Sequence, residues 1–331
     1  MLRAIINLIL KRPILVIYDV TKLCNQRCLM CNIWKTKSDD MDLENLENEI
    51  KKLKRFGIRY VFLQGGEPLI RKDIIEIIDL FLKYGIKPTV ITNGILLTPD
   101  IAAEIAKRRC NLAISIDSMN RELFAKLRGV DKLDQVLDNI KKIYKMERKG
   151  NWSITTTITG LSKFDDIRNI EKFAEEHGFM YAIRPYIFVR GMAGKKNDEL
   201  MYQWKDVAEI FLYMAAKAKE NNFLAYLVYR EHIRYIKGES MPMCDAATYS
   251  LVMTEKGLKC PCIEYADINF DLDTFRKDKK TFIKKLEECN RTTPCFYNDA
   301  REIGVLWRNK FLILLNAPMI IRQLIQYGNF F

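Results

Sequence analysis

Nine cysteines are spread unevenly along this 331-residue chain, and three of them, Cys24, Cys28 and Cys31, form a Cys-x3-Cys-x2-Cys run. Thiolates are the usual ligands of iron–sulfur clusters, and a cubic cluster takes four to close all its irons. A short loop with this spacing can wrap one such cluster while offering only three thiols. One iron then stays open to chelate a small molecule, as an open position separates a catalytic metal site from a structural one. The plainer alternatives are a zinc site or three unconnected core thiols. Zinc needs a fourth ligand, and the two histidines, His177 and His232, lie far along the sequence. A second group, Cys244, Cys260, Cys262, Cys289 and Cys295, falls near the end; Cys110 stands alone and reads as an inert buried thiol.

The elements that position these residues follow from periodicity. From residue 14 to about 188, short apolar runs alternate with longer amphipathic stretches, the pattern of βα units around a parallel sheet. Strands are predicted over Ile14 to Val20, Tyr60 to Leu63, Pro88 to Thr92, Asn111 to Ile116, Trp152 to Ile158 and Met180 to Phe188. Helices are predicted over Asp42 to Phe56, Asp73 to Tyr84, Pro99 to Arg109, Lys132 to Met146 and Asp165 to His177. Six βα units fall short of a closed eight-stranded barrel, so the expected fold is α/β, an open partial (β/α)6 TIM-like barrel. Loops at the carboxyl ends of such strands converge on one mouth. The early cysteines follow strand one, Gln64-Gly65-Gly66-Glu67-Pro68 follows strand two, Thr92-Asn93-Gly94 ends strand three and Ser115-Ile116-Asp117 ends strand four. All four are expected on one rim.

After Arg190-Gly191 the pattern changes to a long helix over about Asp198 to Asn221 and a cysteine-rich segment from Met243 to about Tyr297. The expected organisation is an amphipathic segment at 1–13, the partial barrel and its following helix at 14–238, a small cysteine-rich α+β domain at 239–300 and an amphipathic extension at 301–331. With 49% hydrophobic and 29% charged residues and no low-complexity tract, the composition is globular rather than disordered. The odd cysteine count, and an opening apolar run that leads into Lys11-Arg12-Pro13 without a small-residue cleavage site, predict a reducing cytoplasm. The apolar stretch Phe311 to Ile321 is broken by Asn316 and Pro318, short of the ~20 residues a membrane span requires. A net charge of +12 suits an anionic partner. The basic residues recur at helical spacing, as at Lys51, Lys52, Lys54 and Arg55, and read as a solvated face. No basic module with interleaved aromatics points to nucleic acid.

Cys24-Asn25-Gln26-Arg27-Cys28-Leu29-Met30-Cys31 resembles the signature of the radical S-adenosylmethionine (SAM) superfamily, and the resemblance covers roughly residues 14 to 190. It implies that Cys24, Cys28 and Cys31 hold a 4Fe-4S cluster whose open iron is chelated by the methionyl amine and carboxylate of SAM. An electron from the cluster then splits the sulfonium, and the resulting 5'-deoxyadenosyl radical takes a hydrogen atom from a substrate. Gly65-Gly66-Glu67-Pro68 is similar to the segment that binds the methionyl amine: glycines let backbone approach closely, and Glu67 and exposed carbonyls accept from an ammonium. Asn93 joins this set on the same rim. Ser115 and Asp117 resemble positions that reach the ribose or the methionyl carboxylate, and Arg128, in Leu127-Arg128-Gly129, resembles a basic residue that pairs with that carboxylate. Met30 stands where relatives commonly carry an aromatic residue against the adenine, and its polarizable side chain can still cover the base. A low-potential electron donor such as ferredoxin or flavodoxin is the implied partner.

Cys244 and Cys262, with Gly257 between them in a Cys-x12-Gly-x4-Cys arrangement, resemble the auxiliary-cluster regions called twitch and SPASM, although the seven-cysteine SPASM pattern is incomplete. The resemblance implies a second 4Fe-4S cluster on Cys244, Cys262, Cys289 and Cys295. Cys260 is the alternative ligand, because side chains two apart on a strand face one side. A zinc ribbon or core thiols would use the same residue type. Four ligands would close the cluster for electron transfer, and three would leave a substrate position. The expected substrate is an unidentified small or lipid-linked molecule; the competing readings are a maturase of a peptide or protein and a non-catalytic iron–sulfur or zinc-binding module. The segments Leu2 to Arg12 and Trp307 to Ile325 combine apolar faces with basic flanks, as interfacial helices do. Peripheral contact with the inner face of a membrane is one reading of them, and packing onto the barrel is the other.

Overall fold

The computed structural model describes residues 2–187, 197–262, 265, 268–292, 295, 296 and 298–327. Phe188, Arg190, Gly191 and Tyr297, used above as limits, lie outside the described residues.

After α1 (Leu2–Ile9), six strands follow in the predicted order: β1 Leu15–Thr21, β2 Tyr60–Gly65, β3 Lys87–Thr92, β4 Asn111–Ser115, β5 Trp152–Ile158 and β6 Met180–Pro185. All six pair in parallel with their sequence neighbours. The connecting helices are α2 Leu43–Phe56, α3 Ile74–Lys83, α4 Pro99–Lys107, α5 Arg121–Arg128, α6 Leu133–Ile143 and α7 Phe164–Glu176. In α2 the logic of a crossover helix is explicit. The Asp42 carboxylate caps its start by accepting from Asn45 N at 2.8 Å, and Leu46, Ile50 and Leu53 form one fully buried stripe. Gly57, at φ 114°, ends the helix by returning its N–H to the Leu53 carbonyl.

Strand side chains alternate with period two. Val16, Tyr18, Val61, Leu63, Ile114 and Ile154 pack under the helices in one continuous core. The opposite face carries Gln64, Thr89, Ser115, Ser153, Thr155 and Thr157, all only half-buried. At about 1.5–3 kcal/mol for each fully buried aliphatic side chain, the helix-facing residues supply the stability. The other face is apolar at β1 and β7, where Leu15, Ile17 and Val252 are buried, and polar across β3 to β5.

Beyond β6, α8 (Trp204–Asn221) and α9 (Phe223–Ile236) meet at Asn222, whose side chain caps α9 by accepting from Ala225 N at 3.1 Å. The cysteine-rich segment then returns to the sheet. Strand β7 (Ser250–Met253) pairs in parallel with β1, Leu15 opposite Ser250 and Tyr18 opposite Met253, and β8 (Lys259–Cys260) adds antiparallel at the edge. The sheet therefore has eight strands in the order β6-β5-β4-β3-β2-β1-β7-β8, two more than periodicity predicted, because strands of four and two residues show no readable alternation. Helices α10 (Phe275–Thr292), α11 (Asn298–Arg308), α12 (Lys310–Leu315) and α13 (Ala317–Tyr327) complete the chain. Phe270, Phe275, Phe282 and Leu286 build a second, smaller core against Ala246, Ala247 and Leu251. Among the described residues no helix is long and apolar enough to cross a membrane.

Candidate active site

Strand β1 ends in a register shift between Asp19 and Thr21, and the chain then leaves the sheet as the loop that carries Cys24, Cys28 and Cys31. Two flanks clamp this loop through backbone alone. On one side Gly66 N donates to the Thr21 carbonyl at 2.7 Å and Glu67 N to the Leu23 carbonyl at 2.8 Å. On the other, Arg27 N donates to the Arg128 carbonyl at 3.1 Å and Leu29 N to the Leu127 carbonyl at 2.9 Å. The glycines are required by closeness. A Cβ on Gly66 would lie 2.0 Å from the Leu23 carbonyl oxygen, and one on Gly129, at φ 69°, would lie 2.4 Å from that of Arg27.

Inside the clamp the three thiols are close enough to act on one another's ionisation. Burial pushes Cys24 and Cys31 up to about 11, and it also raises Cys28. The Arg128 guanidinium, beside Cys28, opposes that shift there. Backbone N–H groups of Gln26 and Ile33 point at the sulfurs of Cys24 and Cys31, each at 3.4 Å. Gln26 is buried, its Oε1 accepts from the Cys28 thiol at 3.5 Å, and its Nε2 has no partner. This orphaned donor suits a sulfide. No three His, Cys, Asp or Glu side chains among the described residues are placed to hold a single metal ion. A zinc site, with Zn–S near 2.3 Å, would bring its sulfurs to within about 3.8 Å of each other. Three half-buried thiols, converging donors and a glycine cradle fit a cubic cluster with one open iron, which binds once the thiols lose their protons.

Each predicted site residue has a definite place. Glu67 is 1% exposed: Oε1 accepts from Leu69 N at 3.0 Å and Thr92 Oγ1 at 2.7 Å, and Oε2 accepts from Asn93 N at 2.7 Å. Burial raises its pKa against the pull of these donors. Its carboxylate thus pins the Gly65-Gly66-Glu67-Pro68 turn to the end of β3. Pro68 opens a short 3-10 turn behind it. Asn93 donates from Nδ2 to Asn25 Oδ1 at 2.6 Å, tying β3 to the cysteine loop. Ser115 sits half-buried at the end of β4. Asp117 and Arg128, assigned separately from the sequence, are joined to each other: Arg128 Nε lies 2.7 Å from Asp117 Oδ2, and Asp117 Oδ1 accepts from Thr157 N at 2.8 Å. Burial works against the guanidinium's charge, but Asp117 and Cys28 outweigh it and raise its pKa. Met30 packs partly buried in a cluster with Leu127, Tyr186 and Leu200. Sequence reading overlooked Trp34, whose Nε1 donates to the Cys31 carbonyl at 3.0 Å while the Arg27 guanidinium lies over its ring. An aromatic residue three positions past the last cysteine was the available signal.

In the second group, Cys260 is fully buried on β8, its thiol 3.6 Å from the Val252 carbonyl, and it packs with Leu15 and Ile17. Cys262, just past the strand, is half-exposed. Tyr265 packs with Cys244 and Cys262 against the second core, its N–H donating to the Cys262 carbonyl at 3.0 Å, and burial together with the nearby Cys289 raises the pKa of both Tyr265 and Cys244. Arg301 lies beside Cys244, where it opposes the upward push of burial on that thiol, and donates from Nε to the Cys295 carbonyl at 2.8 Å. Cys110 is buried beneath β3 and β4, its thiol 3.4 Å from the Pro88 carbonyl. His177 and His232 are packed in aromatic clusters of their own.

A family model described as "Radical SAM superfamily" matches residues 18–175. The "Probable GTP 3',8-cyclase" of Sulfurisphaera tokodaii is 33% identical over 269 residues, covering 78% of this chain and 84% of that protein. The protein of the same name from Pyrococcus abyssi is 35% identical over 209 residues, covering 61% of this chain and 66% of that protein. The alignments with the Thermococcus kodakarensis and Pyrococcus horikoshii proteins also span 66% of those proteins, just under two thirds. Among solved structures, Streptococcus suis SuiB bound to S-adenosylmethionine shares the fold with a TM-score of 0.64 at 18% identity, over 80% of this chain and 66% of that one.

Proposed function

The chain belongs to the radical SAM superfamily, and we propose that it is a radical enzyme in which Cys24, Cys28 and Cys31 hold a 4Fe-4S cluster that leaves one iron to S-adenosylmethionine. The observation that carries this reading is the backbone clamp: the cysteine loop is hydrogen-bonded on one flank to Gly66 and Glu67 and on the other to Leu127 and Arg128. When bound, the cluster and SAM supply reductive sulfonium cleavage and a 5'-deoxyadenosyl radical. The chain's own residues prepare for that. The N–H groups of Gln26 and Ile33 and the Arg128 guanidinium stabilise thiolate charge, Asn93 fixes the loop, and Gly65, Gly66, Pro68, Ser115 and Asp117 line the cofactor side with Glu67 as their anchor.

The half-buried polar face of Gln64, Thr89, Ser153, Thr155 and Thr157 supports a polar small molecule, or the headgroup of a lipid-linked one, as the substrate. GTP, for which the Sulfurisphaera relative is named, is the first to test. Cys244, Cys262, Cys289 and Cys295 are the proposed ligands of a second cluster. The burial of Cys260 supports a core role for it instead. Residues 14–238 then serve as the catalytic barrel and 239–300 as the auxiliary-cluster region. In reconstituted, strongly reduced protein we expect stoichiometric conversion of SAM to 5'-deoxyadenosine and methionine. A fully iron-loaded protein that leaves SAM intact would overturn the reading.

The proposal extends to peripheral membrane contact. Phe311, Leu314, Leu315 and Ile321 are 69, 68, 80 and 57% exposed along α12 and α13. From Ile303 onward the sequence has no Asp or Glu, while Arg308, Lys310 and Arg322 are basic. Such a stripe suits an anionic lipid surface. The intact protein is expected to float with phosphatidylglycerol vesicles, and Phe311→Ser/Leu314→Ser/Leu315→Ser to lose at least tenfold of that binding. Equal flotation of the two proteins sinks the idea.

A further inference from the structure

Outside α2, and apart from the polar strand face, a groove of about 1050 Å³ lies between the end of α2, the turn after β7 and residues 269–277. Phe56, Phe270 and Phe275 line it, the rings of Phe56 and Phe275 meeting edge-on at 5.0 Å. Its basic residues outnumber its carboxylates seven to three. Glu49 is engaged by Lys259 at 2.5 Å and Lys52 at 2.8 Å, and Lys256 reaches Asp39 at 3.4 Å. Arg12, Arg55, Arg276 and Lys277 have no ion-pair partner among the described residues. Gathering like charges around a concavity costs stability and raises the local potential, which an anionic occupant relieves.

A second observation identifies the occupant. From the groove, aromatic rings run inward in near contact: Phe275 to Phe270 at 5.7 Å, Phe270 to Phe282 at 5.9 Å and Phe282 to Tyr265 at 5.1 Å. Tyr265 in turn packs on the same core as Cys244 and Cys262, its N–H donating to the Cys262 carbonyl at 3.0 Å. A phosphorylated metabolite would be served by the charges alone and would need no such path. An electron would.

We propose that the groove docks an acidic one-electron carrier protein, and that the ladder Phe275–Phe270–Phe282–Tyr265 brings its electron to the second cysteine group. This rests on the reading of Cys244, Cys262, Cys289 and Cys295 as cluster ligands. The balance is simple: the carrier's flavin or iron–sulfur centre is oxidised by one electron, the second cluster is reduced by one, and that electron passes to the first cluster, where each SAM cleavage consumes one. Electron-transfer encounters are small and electrostatic, in keeping with a groove whose working parts are four free cations.

The test uses holoenzyme and flavodoxin, with Arg55→Glu/Arg276→Glu/Lys277→Glu as the variant; all three side chains are exposed, so the fold is preserved. By titration calorimetry at low salt, the variant is expected to bind flavodoxin at least tenfold more weakly. Wild-type affinity should fall steeply with salt and the variant's only slightly. Cluster reduction by flavodoxin should slow at least tenfold while dithionite-driven SAM cleavage is unchanged. Phe282→Leu should slow flavodoxin-driven reduction without altering affinity. Unchanged affinity and rate in the charge variant overturn the proposal, as does pyrophosphate binding that the variant loses while flavodoxin binding persists. Failure of the underlying reading is distinct: wild-type protein would carry about four irons instead of about eight.

Discussion

Replacing Cys24, Cys28 and Cys31 together by alanine is expected to lower the iron content from about eight to about four per chain and to reduce 5'-deoxyadenosine formation to background. Both readouts are needed. Loss of cleavage alone would follow from any damage to the rim, whereas losing half the iron identifies these thiols as the ligands of one cluster. Cys260→Ala supplies the contrast. Its thiol is fully buried in the core with Leu15, Ile17 and Val252, so the substitution should lower the melting temperature and leave iron unchanged. Anaerobic iron and sulfide determination with electron paramagnetic resonance makes the measurement. Zinc in place of iron, with no cleavage by the wild type, would reject the radical assignment altogether.

Gly66→Ala is expected to damage the cysteine loop severely for a single-methyl change. The added Cβ would sit 2.0 Å from the Leu23 carbonyl oxygen and 2.5 Å from its carbon. These are backbone atoms and cannot rotate away as a side-chain tip could. Relief requires the cysteine loop to move off the Gly65-Gly66 turn, which breaks the hydrogen bonds from Gly66 N and Glu67 N. Overpacking of about 1–3 kcal/mol and two hydrogen bonds worth about 0.5–1.5 kcal/mol each fall on the segment that presents the thiols. Iron at the first site should therefore fall together with the melting temperature. Gly238→Ala is the control: Gly238 has φ 73°, but nothing lies within 4 Å of its added Cβ. It should pay about 1–2 kcal/mol of backbone strain and keep all its iron. Normal iron loading in Gly66→Ala would remove the clamp from the argument.

How much of this was legible depended on periodicity. Strands β1 to β6 and the convergence of the first four on one rim were readable because each is a short apolar run, alternating in burial in β3 and β5 and buried throughout in β1, and their connecting helices carry apolar stripes. Helix α5 was not, since it has only eight residues, and yet it delivers Arg128 to Cys28. The pairing of Asp117 with Arg128 could not be read either: spacing identifies both residues as polar and near the rim, but not that their charges meet. The choice between Cys260 and Cys262 turned on where a two-residue strand stops. The basic groove brings residues 12, 49–56 and 256–277 together from both ends of the chain, and helical spacing presents Lys52 and Arg55 as part of an ordinary solvated face.

The pairing of β7 with β1 places a constraint on biosynthesis. Ser250 is made 235 positions after Leu15, its partner in the sheet. Until then β1 has one edge of unsatisfied N–H and C=O groups, directly before the cysteine loop, as the chain leaves the ribosome. Distant parallel pairings form slowly, since the loop-closure cost comes before any contact repays it. The thiols and both flanks of their clamp, through Gly129, are thus synthesised before the strand that covers this edge of β1, and the cysteine loop can be gripped while that edge is still open.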